Sequence, residues 1–162
     1  MRLKLHYRFG TGFAASQPGP PIRLEHPFPS KGTIFSVGHS TRSIEDFIAL
    51  LKKNRVELVA DVRRFPSSKK YPWFCRESLE TSLKESGIGY AWLGEGLGGF
   101  RKGGYETYME TGEFREGIAK LETMAATQPV AFMCAEASEA RCHRKYIARN
   151  LEKVGWKVVR IG

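Results

Sequence analysis

Residues 130–144 read VAFMCAEASEARCHR and predict a junction between a buried strand and a helix. The apolar residues 130–133 are typical of a strand inside a parallel sheet, and this run stops at Cys134 and Glu136. A small polar loop follows, and residues 142–144, CHR, then begin the predicted helix. Ligands of open α/β sheets bind beyond the carboxyl ends of the strands, so this junction is the first candidate for a functional site.

The rest of the chain repeats this alternation of strand and helix. Apolar periodicity and turn residues predict the remaining strands at 33–37, 56–60, 89–93 and 156–161. The same signals predict helices beginning at Ser43, around Leu79 and Leu83, over 114–125, and from Arg141 to Val154 with Gly155 as its C-terminal cap. The pattern predicts a single three-layer α/β domain over residues 33–162, with a mainly parallel sheet of about five strands, and leaves the strand order open.

Three other segments lack this periodicity. Residues 62–76 and the glycine-rich residues 94–104 are predicted to be loops. Residues 1–32, which include the proline- and glycine-rich stretch 14–21, are predicted to be a flexible N-terminal extension.

The charge balance favours anionic partners. The chain of 162 residues has 26 Lys and Arg against 17 Asp and Glu, which gives a net charge of +9. A surplus of this size suits a nucleotide, a nucleic acid or a phosphorylated metabolite, although a basic surface without a ligand remains an alternative. No stretch approaches the ~18 apolar residues of a membrane-spanning helix, and no secretion signal is evident. We therefore expect a cytoplasmic protein whose three cysteines, Cys75, Cys134 and Cys142, are free thiols.

Residues 38–42, GHSTR, link a predicted strand to a helix that Ser43 caps, with Asp46 as its capping-box partner. Unpaired backbone N–H groups at such a junction attract anions, so this loop is a candidate phosphate site. A capped turn with a surface arginine is the alternative. Asp61 and Arg63 follow the next strand on the same side of the chain, either as a base with a phosphate-binding cation or as a structural ion pair.

The 142–144 segment offers two reactive groups and a cation. A helix N-terminus favours a thiolate at Cys142, and Arg144 is placed to grip a phosphate. Glu136 at a strand end requires either an arginine partner or a catalytic role, whereas Cys134 is most simply a packed apolar residue. The spacing of Cys134, Glu136, Cys142 and His143 matches no common zinc pattern, and the two cysteines lack the C-x-x-C signature of a redox pair.

The loop at 62–76 combines cations with aromatic rings and no carboxylate. This mixture suits single-stranded nucleic acid or a nucleotide base, although an ordered lid that packs its rings on the sheet is equally consistent. The residues expected to contact nucleic acid are Arg64, Lys69, Lys70 and Trp73.

Several motifs together resemble the domain-of-unknown-function 488 family over about residues 33–162. These motifs are FSVGHSTRSIEDFIALL at 35–51, DVRRFPSS at 61–68, GEGLGG at 94–99, YMETGEF at 108–114, MCAE at 133–136 and CHR at 142–144. The resemblance implies an α/β fold, a cytoplasmic location and a shared site more than a shared reaction. The implied site residues are Gly38, His39, Ser40, Thr41, Asp61, Arg63, Cys134, Glu136, Cys142, His143 and Arg144.

The leading hypothesis is an enzyme that acts on a phosphate-bearing ligand, a nucleotide or nucleic acid, at the carboxyl edge of the sheet. The predicted catalytic residues are Asp61, Glu136, Cys142 and His143. The predicted phosphate-binding residues are Gly38, His39, Ser40, Thr41, Arg42, Arg63 and Arg144. The alternatives are a non-catalytic nucleic-acid-binding module and a thiol or metal sensor. The sequence identifies no cofactor and leaves the reaction type open.

Overall fold

Five parallel strands form one sheet in the computed structural model, which describes residues 30–162. The strands are β1 (Gly32–Gly38), β2 (Leu58–Asp61), β3 (Gly89–Trp92), β4 (Val130–Cys134) and β5 (Trp156–Ile161), in the order β3-β2-β4-β1-β5. The predicted single α/β domain is confirmed. The predicted extension of residues 1–32 lies outside the described residues except for its last three, of which Gly32 begins β1.

Helices connect the strands and cover both faces of the sheet. They are α1 (Ile44–Lys53), α2 (Arg76–Glu85), α3 (Gly94–Leu97), α4 (Tyr105–Tyr108), α5 (Gly112–Thr127) and α6 (Arg144–Lys153), with short 3-10 helices at Pro72–Phe74 and Glu139–Arg141. Two predictions differ from this result. The glycine-rich segment begins with helix α3, which buries Leu97 where Gly96 closely approaches Gly117 of α5. The last helix begins at Arg144 rather than Arg141, because the chain is extended at Cys142.

The two faces of the sheet have separate cores. Phe47 of α1 and Leu79 of α2 pack on one face, and Leu121 of α5 and Ile147 of α6 pack on the other. Side chains of β4 alternate between the two cores, so Met133 points to the α1 side while Cys134 points to the α6 side. This alternation sets which helix each strand-end residue meets.

The connections from β1 and β4 leave the sheet on opposite faces. These strands are neighbours, with Gly38 in register with Cys134, yet α1 covers one face and α6 the other. A crevice opens at such a switch point, beyond the carboxyl ends of the strands. The predicted N-cap is confirmed, because Ser43 Oγ accepts a hydrogen bond from the Asp46 backbone N–H at 3.1 Å. Gly155 follows α6 with φ 101°, as expected of a C-terminal cap.

Among residues 30–162, no helix is both long enough and apolar enough to cross a bilayer.

Candidate functional site

Two thiols and an imidazole meet where β4 leads into the α6 connection. The Nδ1 atom of His143 lies 3.6 Å from Cys142 Sγ and 4.0 Å from Cys134 Sγ. Cys134 and Cys142 are buried in the α6-side core, 7% and 5% exposed, and His143 is half-buried. The short polar loop between β4 and α6 folds back so that residues eight positions apart come into contact.

The ring of His143 has a fixed orientation. Its Nε2 atom lies 2.9 Å from the carbonyl oxygen of Val62, which directly follows β2. A carbonyl oxygen only accepts hydrogen bonds, so Nε2 carries the proton and donates it. In the neutral form of the ring, Nδ1 is then the unprotonated nitrogen, with its lone pair towards the two sulfur atoms.

The thiols are not equivalent. The hydrogen bond from the Cys134 thiol holds the pKa of Cys142 below its usual value, although burial opposes this, and the backbone N–H of Arg144 acts in the same direction. The same hydrogen bond, together with burial, raises the pKa of Cys134. Of the two thiols, Cys142 is therefore the one that gives up its proton more readily, as expected of a nucleophile or a metal ligand.

A cavity of about 620 Å³ opens above this cluster. Both cysteines, His143 and Glu136 contribute to its wall. Its cationic lining residues are Arg63, Arg64, Arg101, Arg141 and Lys145, and its ring-bearing lining residues, besides His143, are Phe65, Phe100, Tyr105 and Tyr146. Chemically reactive side chains thus share one space with positive charge and with flat apolar surfaces.

The five cations differ in how far they are already engaged. Arg63 pairs with Asp61, and Arg101 donates to the carbonyl oxygens of Gly98, at 2.8 Å, and Glu95. In contrast, no carboxylate of residues 30–162 forms an ion pair with Arg64, Arg141 or Lys145. Arg64 and Lys145 make only longer hydrogen bonds, to the carbonyl oxygens of Phe100 at 3.3 Å and Ala140 at 3.4 Å. Arg64, Arg141 and Lys145 are therefore the cations most available to a bound anion. Seven of the charged and ring-bearing lining residues were not predicted as site residues from the sequence, namely Phe65, Phe100, Arg101, Tyr105, Arg141, Lys145 and Tyr146.

Glu136 lies at the cavity wall but is exposed. Because an unpaired carboxylate is costly to bury at a strand end, we expected either an arginine partner or a catalytic role for this residue. The loop instead turns outward directly after Cys134, so the side chain stays in water. Within residues 30–162 it forms no ion pair, which leaves it available to a ligand or a proton.

Asp61 forms a buried ion pair instead of lining the cavity. It is fully buried and accepts from Arg63 Nε at 2.9 Å, from Arg63 Nη2 at 2.6 Å and from the Tyr90 hydroxyl at 2.8 Å. Although burial opposes it, Asp61 raises the pKa of Arg63, while burial and the nearby carboxylate raise the pKa of Tyr90. Of the two interpretations that the sequence left open, the geometry favours the structural pair.

His39 belongs to the same buried network. Its ring stacks on Phe74 with centroids 4.0 Å apart, its Nδ1 donates to the carbonyl oxygen of Ser40 at 3.0 Å, and its Nε2 faces Arg63 Nη1 at 3.4 Å. Burial, followed by the charge of Arg63, lowers the pKa of His39 to about 4. This histidine is therefore neutral at physiological pH and supports Arg63.

The loop at 38–42 does not present the expected anion site. The backbone N–H groups of His39 and Ser40 donate to the carbonyl oxygens of Cys134 and Ala135, both at 2.9 Å. Arg42 donates to the carbonyl oxygen of Gly38 at 2.6 Å. These donors join the β1 and β4 loops, because the two strands are neighbours, and so the geometry favours the capped-turn interpretation for this loop. Ser40 and Thr41 line a second, smaller cavity beside Glu136.

Arg144 also differs from its prediction. Its side chain is 2% exposed, and its guanidinium donates to Ser36 Oγ at 2.9 Å and to the carbonyl oxygen of Glu136 at 2.5 Å. The first residue of α6 lies under the β4 loop rather than above it, so this cation points inward. Arg144 fixes the loop that carries Glu136 and is not placed to grip a phosphate in the cavity.

The predicted nucleic-acid loop divides into two parts. Arg64 lines the main cavity, and Lys69 and Lys70 are exposed. Trp73 is half-buried against the α1-side core, where its ring N–H donates to the carbonyl oxygen of Arg42 at 3.0 Å. Its ring is therefore part of the packing, and the exposed rings Phe65 and Phe100 are the ones placed for stacking.

Comparison with known proteins supports the motif-based resemblance. The family model described as "Domain of unknown function DUF488" matches residues 43–104 and 100–151, which include Asp61, both clustered cysteines and His143. No curated protein and no solved structure gives a significant match. The family match spans more than half of the chain, and the chain therefore belongs to the DUF488 family.

Proposed function

We propose that this protein is an enzyme that acts on a phosphate-bearing ligand of the nucleotide class, bound in the cavity at the carboxyl edge of the sheet. The observation that carries the proposal is the shared cavity. The Cys134–Cys142–His143 cluster, three cations without carboxylate partners and two exposed rings all border it. A purely structural cluster of buried thiols has no need of such surroundings.

The cations account for the phosphate. Arg141, which ends the short 3-10 helix, is exposed, and Lys145 follows it in the first turn of α6. Arg64 also lines the cavity, with its guanidinium 5.8 Å from the ring centroid of Phe65. Phosphate oxygens bind well to such groups, and guanidinium groups can bind them through two parallel hydrogen bonds. The net charge of +9 also increases the local concentration of anionic ligands.

The exposed aromatic rings provide stacking surfaces for a nucleotide base. Phe100 is 89% exposed and Phe65 is 66% exposed, and both lie at the cavity. Phe100 also has a φ of 58°, a conformation that bulky residues rarely adopt. Stacking of a base on such rings contributes about 1–3 kcal/mol per base.

The cluster supplies the reactive centre. A thiolate at Cys142 supports either direct attack on an electrophilic atom of the ligand or the binding of a metal ion that activates water. Glu136, exposed on the same wall, is the group able to accept and return a proton.

A thermal-shift screen tests the ligand class. Wild-type protein is compared with Arg141→Ala/Lys145→Ala and with Lys53→Ala/Lys84→Ala, which removes the same charge at exposed helix ends away from the cavity. A nucleotide at ~100 times its dissociation constant stabilises the protein by about 2.7 kcal/mol. We expect this shift to persist in the Lys53/Lys84 variant and to shrink in the cavity variant. Equal shifts in the two double variants, or no shift with any phosphate compound, would contradict the proposal.

One observation favours a longer ligand, such as single-stranded nucleic acid. The second cavity shares Ser67, Ala135 and Glu136 with the first, and Lys70 contributes a cation to it. A chain that passes over Glu136 would thus contact both cavities. Affinity for an oligonucleotide that exceeds that for a mononucleotide, and that falls steeply with salt and with Lys69→Ala/Lys70→Ala, would support this form of the ligand.

A further inference from the structure

We propose that Cys134, Cys142 and His143 form a zinc site whose fourth position opens into the cavity. The inference deepens the proposed function, because it names the reactive group of the same cavity. It nevertheless stands on its own geometry, which was not evident from the spacing of these residues in the sequence.

The distances between the donor atoms fit tetrahedral zinc. Zinc lies about 2.3 Å from a thiolate sulfur and about 2.0–2.1 Å from an imidazole nitrogen, which places the sulfur and nitrogen about 3.6 Å apart at the tetrahedral angle. The observed distances from His143 Nδ1 are 3.6 Å to Cys142 Sγ and 4.0 Å to Cys134 Sγ, and all three donor atoms lie within 4.8 Å of one another. The two sulfur–nitrogen distances therefore need adjustments of at most about 0.4 Å, and the two sulfur atoms need to lie about 3.8 Å apart.

The surrounding hydrogen bonds suit a metal ligand. Histidines that bind metals commonly donate their other N–H to a carbonyl or carboxylate oxygen, and here Nε2 donates to Val62. The backbone N–H of Arg144 points to Cys142 Sγ at 3.5 Å, as expected of a donor that stabilises a thiolate. Binding of Zn²⁺ displaces the two thiol protons to solvent and leaves two thiolates and a neutral imidazole around the ion, with no net charge.

The site can also accept a fourth ligand, on the side that faces the cavity. Gly99 lies over the imidazole, and a Cβ atom at that position would come within 3.0 Å of His143 Nδ1. Because all three protein ligands line the cavity, a fourth ligand enters from that side. Three protein ligands with an open position are typical of catalytic zinc, which lowers the pKa of a bound water to about 7. Glu136 lies on the same wall to receive the proton of that water.

Soft ligands determine the choice of metal. Two thiolates and one imidazole favour Zn²⁺ over Mg²⁺ or Ca²⁺, which prefer oxygen ligands. A disulfide between Cys134 and Cys142 is the competing use of the two sulfurs, and the oxidant that it requires would be an external one such as a disulfide or a peroxide.

Cobalt substitution and zinc analysis test the site in the full-length protein without an affinity tag. We expect about one equivalent of zinc per chain after growth with zinc, and tetrahedral visible bands with thiolate charge transfer after replacement by Co²⁺. Cys134→Ser and Cys142→Ser should each either lose about half of the charge-transfer intensity or bind no Co²⁺ at all. His143→Gln should weaken binding of the metal ion by at least 10-fold. Cys75→Ser is the matched control, because Cys75 lies outside the cluster and contacts Ser68, and it should bind like wild type.

Two results would overturn the metal site. One is a wild-type protein that binds neither ion while its two clustered thiols react freely or join in a disulfide. The other is a cobalt spectrum that survives in Cys134→Ser/Cys142→Ser or disappears in Cys75→Ser. The nucleotide thermal shift, measured on metal-free protein, separates the two proposals, because the cavity cations bind phosphate without the metal. A nucleotide-induced thermal shift in a protein that binds no metal would refute only the zinc site. Metal binding in a protein that shows no such shift would refute only the proposed class of ligand.

Discussion

Replacement of Asp61 by asparagine tests whether this residue is a structural anchor or a general base. Asp61 is fully buried and receives four hydrogen bonds, from the backbone N–H, Nε and Nη2 of Arg63 and from the hydroxyl of Tyr90. Asparagine keeps the shape of the side chain but removes its charge and turns one acceptor oxygen into a donor. The guanidinium of Arg63, 5% exposed, then loses its counter-ion.

The expected loss of stability follows from this geometry. Removal of one partner of a buried ion pair costs about 3–5 kcal/mol, because the remaining charge stays buried without compensation. The Tyr90 hydroxyl donates to the same carboxylate, and a hydrogen bond to a charged group contributes about 1.5–3 kcal/mol. We therefore expect Asp61→Asn to lose about 4 kcal/mol and Tyr90→Phe about 2 kcal/mol. Domains have a total free energy of unfolding of about 5–15 kcal/mol, so both variants should still fold.

Urea unfolding followed by tryptophan fluorescence measures these differences. At a slope of about 2 kcal/mol/M, the midpoint of Asp61→Asn should fall by about 2 M. The matched control is Asp46→Asn, at the exposed first turn of α1, which should lose less than about 1 kcal/mol. A loss below about 1 kcal/mol for Asp61→Asn, or a loss equal to that of Tyr90→Phe, would refute the structural reasoning. A general base at this position would instead show lost activity at unchanged stability.

Three further predictions concern other residues of this edge. Because the pKa of His39 falls from 6.5 to about 4 on folding, the unfolded chain binds the extra proton first, and stability should decrease as the pH falls from 6.5 to 4. The free energy of unfolding should fall by roughly 3 kcal/mol over this pH range, as measured by urea unfolding at several pH values. This fall should be absent in His39→Gln. Gly99→Ala should weaken Zn²⁺ binding by about 10- to 100-fold in chelator competition, because the added methyl group crowds His143 Nδ1. An unchanged affinity would count against a zinc ion bound to Nδ1 with its fourth position open to the cavity. Phe100→Ala should lower nucleotide affinity by about 1–3 kcal/mol in calorimetry, with a change in unfolding free energy below about 0.5 kcal/mol because the ring is 89% exposed.

Much of this edge could be predicted because parallel strands place their carboxyl ends together. The sequence places Cys134 at the end of one strand and Cys142 and His143 at the start of the following helix, and the fold then brings them to the same edge of the sheet. The spacing did not predict a metal site, because the eight-residue return from Cys134 to Cys142 depends on the conformation of residues 135–141. That conformation depends in turn on a tertiary contact, in which the carbonyl of Glu136 approaches Gly38 so closely that a Cβ atom there would lie 1.9 Å away.

The geometry does not favour the predicted anion loop, for a related reason. Sequence patterns identify backbone donors that have no partner within their own element, and the GHSTR loop at 38–42 has such donors. Whether another element satisfies them is decided by strand order, which the pattern left open. Because β4 lies beside β1, the carbonyl groups of Cys134 and Ala135 reach these donors before any ligand can.

The need for hydrogen-bond acceptors also divides the arginines of this edge into those that hold the fold together and those that remain available to a ligand. Arginine remains charged in proteins, so each buried guanidinium must find acceptors within the fold. Arg144 finds them in the Glu136 and Ala137 carbonyl groups, and by binding them it holds the loop that carries a proposed catalytic carboxylate. Loss of ligand binding in Arg144→Ala would therefore show only that this loop has moved. Arg141 and Lys145, which lie at the cavity without carboxylate partners in residues 30–162, are the positions where lost binding at unchanged stability reports contact with the ligand itself.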